Sequence, residues 1–445
     1  MSNTDFPTFA GPIFRPGEEG YDAEIAGFQT AYTHRPALVV GARHAEDVRA
    51  AVEYAARHDL PIAVQATGHG LSVALDGGVL ISTRRMTDIA IDPDARTAKV
   101  AAGVRAEALI EAATAHGLAP LNGSSPSVGV IGYHLGGGLG ILARTFGYAA
   151  DHVRTIELVT ADGRLRRLEP GDELFGAVLG SGGNFGVVTA LELELIPLAT
   201  VYGGQLVFDT DLVGPALEAW RRWTTTVPEE MTSAITVMTM PDIPPIPAPL
   251  RGRYIATINI AYTGSSADGE RLVEPLRLVG ARLRDDLRAM PYAQTDSIYS
   301  DPPFPHAYTA TNVLLDDLNA DAAQAFLDVT GPGAPISVVA GFRHLGGALR
   351  RPGPATIGHR DAEYIARFIT EPGGAQVREH HDLIRKALSP WTIGHNLNFL
   401  YGAGEWADRQ QTRDGYEADT YARLAELKRE YDPANLFRAN RNIRG

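Results

Sequence analysis

The chain has 445 residues, no cysteine, and a formal net charge of −13 from 40 basic and 53 acidic side chains. The missing cysteines exclude disulfides, thiolate metal sites and cysteine nucleophiles, and the acidic balance leaves no basic footprint for nucleic acid or an anionic membrane. A hydrophobic share of 44% with 21% charged residues is that of a soluble globular protein, and the length exceeds one ordinary core, so two domains are expected. The segment Met1–Pro7 has neither a basic nor an apolar signal region, so a cytoplasmic protein, monomer or homodimer, is expected.

Strand-like and helix-like segments alternate in the first part. Ala37–Val40 reads as a strand, and Ala45–His58 as a helix with Val48, Ala51, Val52 and Ala55 on one face. Pro61–Val64, Val79–Ser82 and Ala98–Ala102 are short apolar strands, and Ala106–His116 is a helix stopped by Gly117. Ile156–Thr160 is a strand, and Gly186–Pro197 alternates at period two, a half-buried strand with glutamates outward. From Ala199 onward the pattern gives helices around Ala216–Trp223 and Ala322–Leu327, strands at Tyr254–Tyr262 and Ile336–Gly341, and a charged helix over Thr412–Arg429. His380 and His381, on a polar helix, read as a solvated face.

The chemistry concentrates in glycine-rich loops. Thr67-Gly68-His69-Gly70 lies between two strands, where glycines let backbone N–H groups approach an anionic ligand and leave the histidine facing it. Three further clusters follow, Gly123–Gly129, Gly132–Gly140 and Gly180–Gly186. Gly138-Leu139-Gly140 begins a dinucleotide fingerprint with Glu157 near the acidic position, which makes a nicotinamide-dependent dehydrogenase a competing reading. That fingerprint needs its acid at the carboxyl end of a strand, whereas Glu157 falls inside one. Val128–Leu135, with two glycines and Tyr133-His134, is also poor material for a buried parallel strand.

In order and spacing, the clusters resemble the FAD-linked oxidases of the berberine bridge enzyme and vanillyl-alcohol oxidase superfamily. The resemblance runs through Arg35–Val40, Gly68-His69, Asp76–Gly78, Pro126–Gly129, Gly136–Gly140 with Arg144, Gly147–Asp151, Val159–Gly163 and Gly182–Val188. It resumes at Tyr431–Phe437. It implies an α+β fold: a two-piece PCMH-type FAD-binding domain over 1–198, a substrate domain over 199–405 with an antiparallel sheet covered by helices, and a returning tail over 406–445.

The resemblance also implies site residues. His69 falls on the histidine that bonds covalently to the flavin, and Ser125 stands where bicovalent members have cysteine, so one covalent link through His69 is expected. Further FAD contacts are expected from Ala66, Thr67, Gly68, Gly70 and Ser72, and from Ser124, Ser125, Val128, Gly129, Gly132 and Tyr133. Gly136, Gly137, Leu139, Gly140, Gly186 and Val188, and in the tail Tyr401, Asn440 and Asn442, complete the set. Val128 matches the oxygen-gate position. Asn396-Leu397-Asn398 occupies a Tyr-x-Asn position, so asparagine replaces a tyrosine that helps activate substrate. Asparagine can orient or polarise but is no general base. Asn396, Asn398, Tyr133 and Val128 are the candidate catalytic residues, with His306, Tyr308 and Glu405 as unranked acid–base groups. No His-Glu-x-x-His or similar cluster suggests a metal. The activity implied is hydride removal from an alcohol, hemiacetal or amine carbon of a small cyclic metabolite, with O2 as acceptor. The missing tyrosine leaves a redox-neutral cyclase or a binding protein on the same fold as an alternative.

Overall fold

The structure, a computed structural model, describes residues 6–244, 246–400 and 409–444. Apolar runs too short for helices become the strands of three sheets. In the first, Leu38–Gly41 and Ile62–Gln65 flank Val79–Ser82 in parallel, and Ile13–Phe14 adds an antiparallel edge. Every residue of Leu38–Gly41 and Val79–Ser82 is buried, as parallel strands covered on both faces require. The helix Ala45–Arg57 buries the expected stripe of Val48, Ala51, Val52 and Ala55.

The second sheet is antiparallel, in the order Ile89–Asp92, Thr97–Ala101, Val187–Glu194, Val153–Val159 and Leu165–Leu168. Glu157 lies mid-strand and its carboxylate meets Lys99 Nζ at 2.7 Å across the sheet. It is committed to a surface pair, not to a ribose. Val130–Leu135, following the glycines at 123 and 129, is a short helix, so the fingerprint lacks its strand as well.

These two sheets and the tail share one core. Leu38, Val48, Val79, Ile156 and Leu191 pack in the same cluster as Leu424, Leu427, Phe437 and Ile443. The tail departs from the expected single helix: Arg409–Arg413 and Ala418–Tyr431 are separate helices. Gly415 sits at the break, where a Cβ would press within 2.6 Å of the Leu397 side chain. Lys428 anchors the second helix, its ammonium bonding Asn184 O (2.6 Å), Asp432 Oδ2 (2.7 Å) and Phe437 O (3.0 Å).

The third sheet has nine strands, running Arg282–Asp285, Thr200–Phe208, Tyr254–Tyr262, Met231–Thr239, Val339–His344, Tyr364–Thr370, Thr309–Leu315 and Thr392–Gly394. Arg288–Pro291 also pairs with Thr200–Phe208. The strand expected at Ile336–Gly341 lies slightly later, at Val339–His344, because Pro335 and Gly333 belong to the preceding turn. Alternation divides this sheet into two faces. Leu206, Ile258, Ile235, Phe342, Ala366 and Val313 form a paired row packed on the helices Val213–Thr224 and Ala320–Thr330. The opposite row is Gln205, Asn259, Ala234, Arg343, Ile365 and Leu314. Its neighbours Ala261, Ile365 and Leu314 pack on Leu139, Ile141, Leu142 and Ala143, so this polar face turns toward the glycine clusters. His380 and His381 are buried on the helix Gly374–Leu388, correcting the solvated reading; His381 Nε2 is 3.1 Å from Thr370 Oγ1.

Among the described residues no helix is long and apolar enough to cross a membrane.

Candidate cofactor and substrate site

The loop after Ile62–Gln65 is fixed from behind. Gly68 has φ +71°, and a Cβ there would come within 2.6 Å of Gly27 Cα, so only glycine permits this approach. The carbonyls of Thr67 and Gly68 accept from Phe28 N and Gln29 N. None of the backbone N–H groups from Ala66 to Ser72 finds a protein acceptor among the described residues. Unpaired backbone donors in succession are costly unless something takes them up, and in a glycine loop they form an anion-binding cradle.

His69 is held by aromatic residues on its ring and its backbone. Its ring stacks on Phe28 at 3.7 Å between centroids and 14° between planes, and Tyr308 OH donates to its carbonyl at 2.7 Å. His306 lies against both Phe28 and Tyr308, so two of the three acid–base candidates gather beside His69. Nε2 of His69 is 2.9 Å from Ser127 Oγ, which is 3.1 Å from Ser125 Oγ. Desolvation, with a smaller effect from Arg105, lowers the imidazole pKa to about 4. The ring is therefore neutral near pH 7. With Nε2 engaged by Ser127, Nδ1 is the nitrogen left for a ligand.

The second cluster approaches the same loop. Gly129 N donates to Thr67 Oγ1 at 3.3 Å, and the Gly129 Cα faces Ala66 and Thr67. Val128 O caps the helix Ala106–Thr114 by accepting from Ala106 N. Gly132 and Gly70 open onto space, with nothing within 4 Å of where a Cβ would stand. Ser72 Oγ donates to Leu400 O at 2.9 Å, and Ser124 Oγ to Asp301 Oδ2 at 2.6 Å. Both serines thus tie the loops to the later part of the chain.

Gly136 and Gly140 are narrow places. A Cβ on Gly136 would overlap the Asn398 amide, and one on Gly140 would lie 2.8 Å from Asn122 O. Gly137 has φ +96° and faces Ile357 and Tyr148, and Gly186 backs onto Val159 O. Leu139 and Val188 bury their side chains in apolar clusters, so only their backbones can reach a ligand.

Asn396 and Asn398 are brought to the Gly136 turn. Asn396 exchanges bonds with Asn312, N to Oδ1 at 2.8 Å and O from Nδ2 at 2.9 Å. Its own Oδ1 accepts from Asn398 N at 3.0 Å, and Asn398 Nδ2 donates to Tyr133 O at 3.3 Å. Tyr133 packs beside the same turn. Its ring fills a space left by Gly123, Gly138 and Gly140, and its buried hydroxyl has no hydrogen-bond partner among the described residues. Burial pushes the phenol far above its ordinary range.

In the tail, Asn440 Nδ2 donates to Gly183 O and Phe437 O, both at 3.2 Å, while its Oδ1 is buried with no partner among the described residues. Asn442 lies beside Asn435. Tyr401 and Glu405 fall outside the described residues. The sequence reading overlooked Phe28, Ser127, Tyr299, Arg343, Arg367 and Phe399. The two arginines carried a signal: each is a charge inside an otherwise apolar strand.

These features fit FAD. The unpaired N–H groups of 66–72 suit a pyrophosphate, and Gly70, Gly132, Gly182 and Gly183 leave clear space beside backbone. The orphaned Ser181 Oγ and Asn440 Oδ1 offer further polar contacts. Comparison with known proteins agrees. Residues 36–169 match the FAD binding domain family, and 409–444 match the berberine and berberine-like family. A FAD-linked oxidoreductase of Dictyostelium discoideum is 27% identical over 98% of this chain and 94% of its own. An (R)-6-hydroxynicotine oxidase of Paenarthrobacter nicotinovorans is 26% identical over 97% and 96%. The crystal structure of 6-hydroxy-D-nicotine oxidase from Arthrobacter nicotinovorans superposes with a TM-score of 0.83, at 27% identity and 98% coverage of both chains. A chitooligosaccharide oxidase superposes at 0.84 with 21% identity, covering 98% and 97%, a likeness of fold alone. The chain carries the FAD binding domain and the berberine-like segment of these FAD-linked oxidoreductases and shares their fold.

Proposed function

We propose that this protein is an oxidase of a small metabolite, with FAD bonded covalently through His69 alone. The observation that carries the reading is the His69 loop: a neutral imidazole with Nδ1 available, oriented by Ser127 and Phe28, beside a run of unpaired backbone donors. When bound, FAD supplies a two-electron acceptor for substrate hydride and a donor to O2, giving H2O2. Ser127 accepts the Nε2 proton and fixes the tautomer that leaves Nδ1 nucleophilic. Among the described residues Ser125 Oγ bonds Ser127 Oγ and touches no base directly, which supports a single link. Residues 1–198 with 406–445 act as the cofactor domain in this reading, and 199–405 as the substrate domain, in a cytoplasmic enzyme.

Asn396 and Asn398 orient the substrate between the polar sheet face and the Gly136 turn. The reacting carbon is that of an alcohol, hemiacetal or amine. A nicotinamide at Gly138 is disfavoured by the pairing of Glu157 with Lys99.

Purified protein is expected to be yellow, with one flavin mass retained after denaturation. His69→Ala should release its flavin in acid. Wild-type protein that loses all colour in acid refutes the covalent link, and colourless protein that binds NAD refutes the oxidase.

A further inference from the structure

The polar face of the nine-stranded sheet carries a charge that the cofactor reading does not use. Arg343 is paired with Ala234 on one side and Ile365 on the other, so its side chain shares the face of Leu314 and Ala261 that packs toward the glycine clusters. It is 9% exposed. Among the described residues it has no hydrogen-bond or ion-pair partner. Its guanidinium contacts only rings, with Tyr299 at 5.0 Å and Phe399 at 5.4 Å. Arg367, on the neighbouring strand and on the same face through its pairing with Gly341, has its guanidinium 4.0 Å from the centre of the same Phe399 ring.

Burying a guanidinium without a carboxylate costs several kcal/mol, and a second cation nearby adds to the cost. Arg367 opposes Arg343, whereas Asp301 is exposed, binds Ser124 at 2.6 Å and makes no ion pair with Arg343. The remaining polar neighbours, Tyr299 and Tyr133, carry hydroxyls able to donate or accept, and neither is hydrogen-bonded to the guanidinium. Other arginines of the region are spoken for: Arg144 bonds Met231 O and Leu345 O, and Arg284 bonds Gln205 Oε1. The spot therefore holds the unbonded donors of Arg343 between aromatic faces, with no carboxylate among the described residues hydrogen-bonded to them.

We infer that the substrate bears a carboxylate, taken up by the fork of Arg343, on a body flat and apolar enough to lie against Tyr299 and Phe399. This rests on the oxidase reading for the identity of the site and adds the substrate's charge class. A bidentate carboxylate fits the planar guanidinium, satisfies it and cancels its charge.

The test uses flavin-loaded enzyme and paired probes: benzoate, phenylacetate and 3-phenylpropionate against their amides. Binding is read from the change in the oxidised flavin spectrum and by calorimetry. At least one acid should bind ten- to a hundred-fold more tightly than its amide. Arg343→Gln should abolish that preference without weakening the amide, and Arg343→Lys should restore part of it. Wild type that binds no acid, or binds acid and amide alike, overturns the inference whatever the variants do. So does an Arg343→Gln enzyme that keeps the preference while its flavin becomes harder to reduce, since the charge then serves the cofactor. Loss of flavin from wild type would instead be a failure of the oxidase reading.

Discussion

Replacing Asp432 with Asn should be among the most destabilising single changes in this protein. Lys428 and Asp432 are 3% and 1% exposed, and their ion pair is one turn of helix long. Asp432 also accepts from Leu436 N at 2.8 Å and Phe437 N at 3.0 Å, one to each oxygen. An amide in its place offers one acceptor where two are needed and leaves the ammonium facing only the carbonyls of Asn184 and Phe437. Breaking a buried pair in this way costs about 3–5 kcal/mol. For a domain of this size each kcal/mol is roughly 2–4 °C, so a fall of about 6–20 °C is expected. Lys428→Met should cost less, because both Asp432 oxygens keep their backbone donors and Phe437 O keeps Asn440 Nδ2. The double variant should cost less than the sum of the singles. Melting followed by flavin fluorescence reads the relevant domain, since Trp220, Trp223 and Trp391 all lie in or beside the nine-stranded sheet. A single variant melting within a degree or two of wild type, or additive costs in the double, would refute the reasoning.

Three further outcomes are expected. Val128→Leu should slow reoxidation of reduced enzyme in oxygenated buffer by stopped flow, while anaerobic reduction by substrate stays nearly unchanged. Equal damage to both half-reactions would mark a packing defect instead. Gly138→Val should lower flavin content, because its Cβ would meet Ala149 at 2.8 Å and Tyr133 at 2.9 Å on a backbone of φ +74°; saturable NAD binding abolished by this change would contradict it. Burial lowers the pKa of His34, His134 and His381 to about 4, so the unfolded chain binds more protons than the folded one between about pH 6.5 and 4. Stability should therefore fall as pH drops through that window, by up to about 1.4 kcal/mol per pH unit for each histidine. Denaturant midpoints that are flat from pH 7 to 5 would exclude this.

The elements nearest the glycine loops were legible because local chemistry and tertiary context agree there. Val79–Ser82 and Tyr254–Tyr262 stand where apolar runs place them, and the His69 turn depends on Gly68, where no side chain fits. Illegible features depend on distant partners. The Tyr133 ring packs against glycines at 123, 138 and 140, a contact visible only after the turn folds. His380-His381 reads as surface because its helix is polar, but the sheet covers that side. Arg343 and Arg367 gain their meaning from cross-strand register, which no local pattern encodes.

The placement of Ile443 and Asn184 has a consequence for biosynthesis. Ile443 N donates to Asn184 Oδ1 at 2.9 Å, Lys428 reaches Asn184 O, and Ile62 N donates to Leu436 O. The core begun by the first strands is thus closed by residues synthesised hundreds of positions later. A nascent chain emerging from the ribosome can form the nine-stranded sheet while the earlier core still lacks Leu424, Phe437 and Ile443. Ribosome-stalled chains lacking 409–444 would expose that core to chaperones.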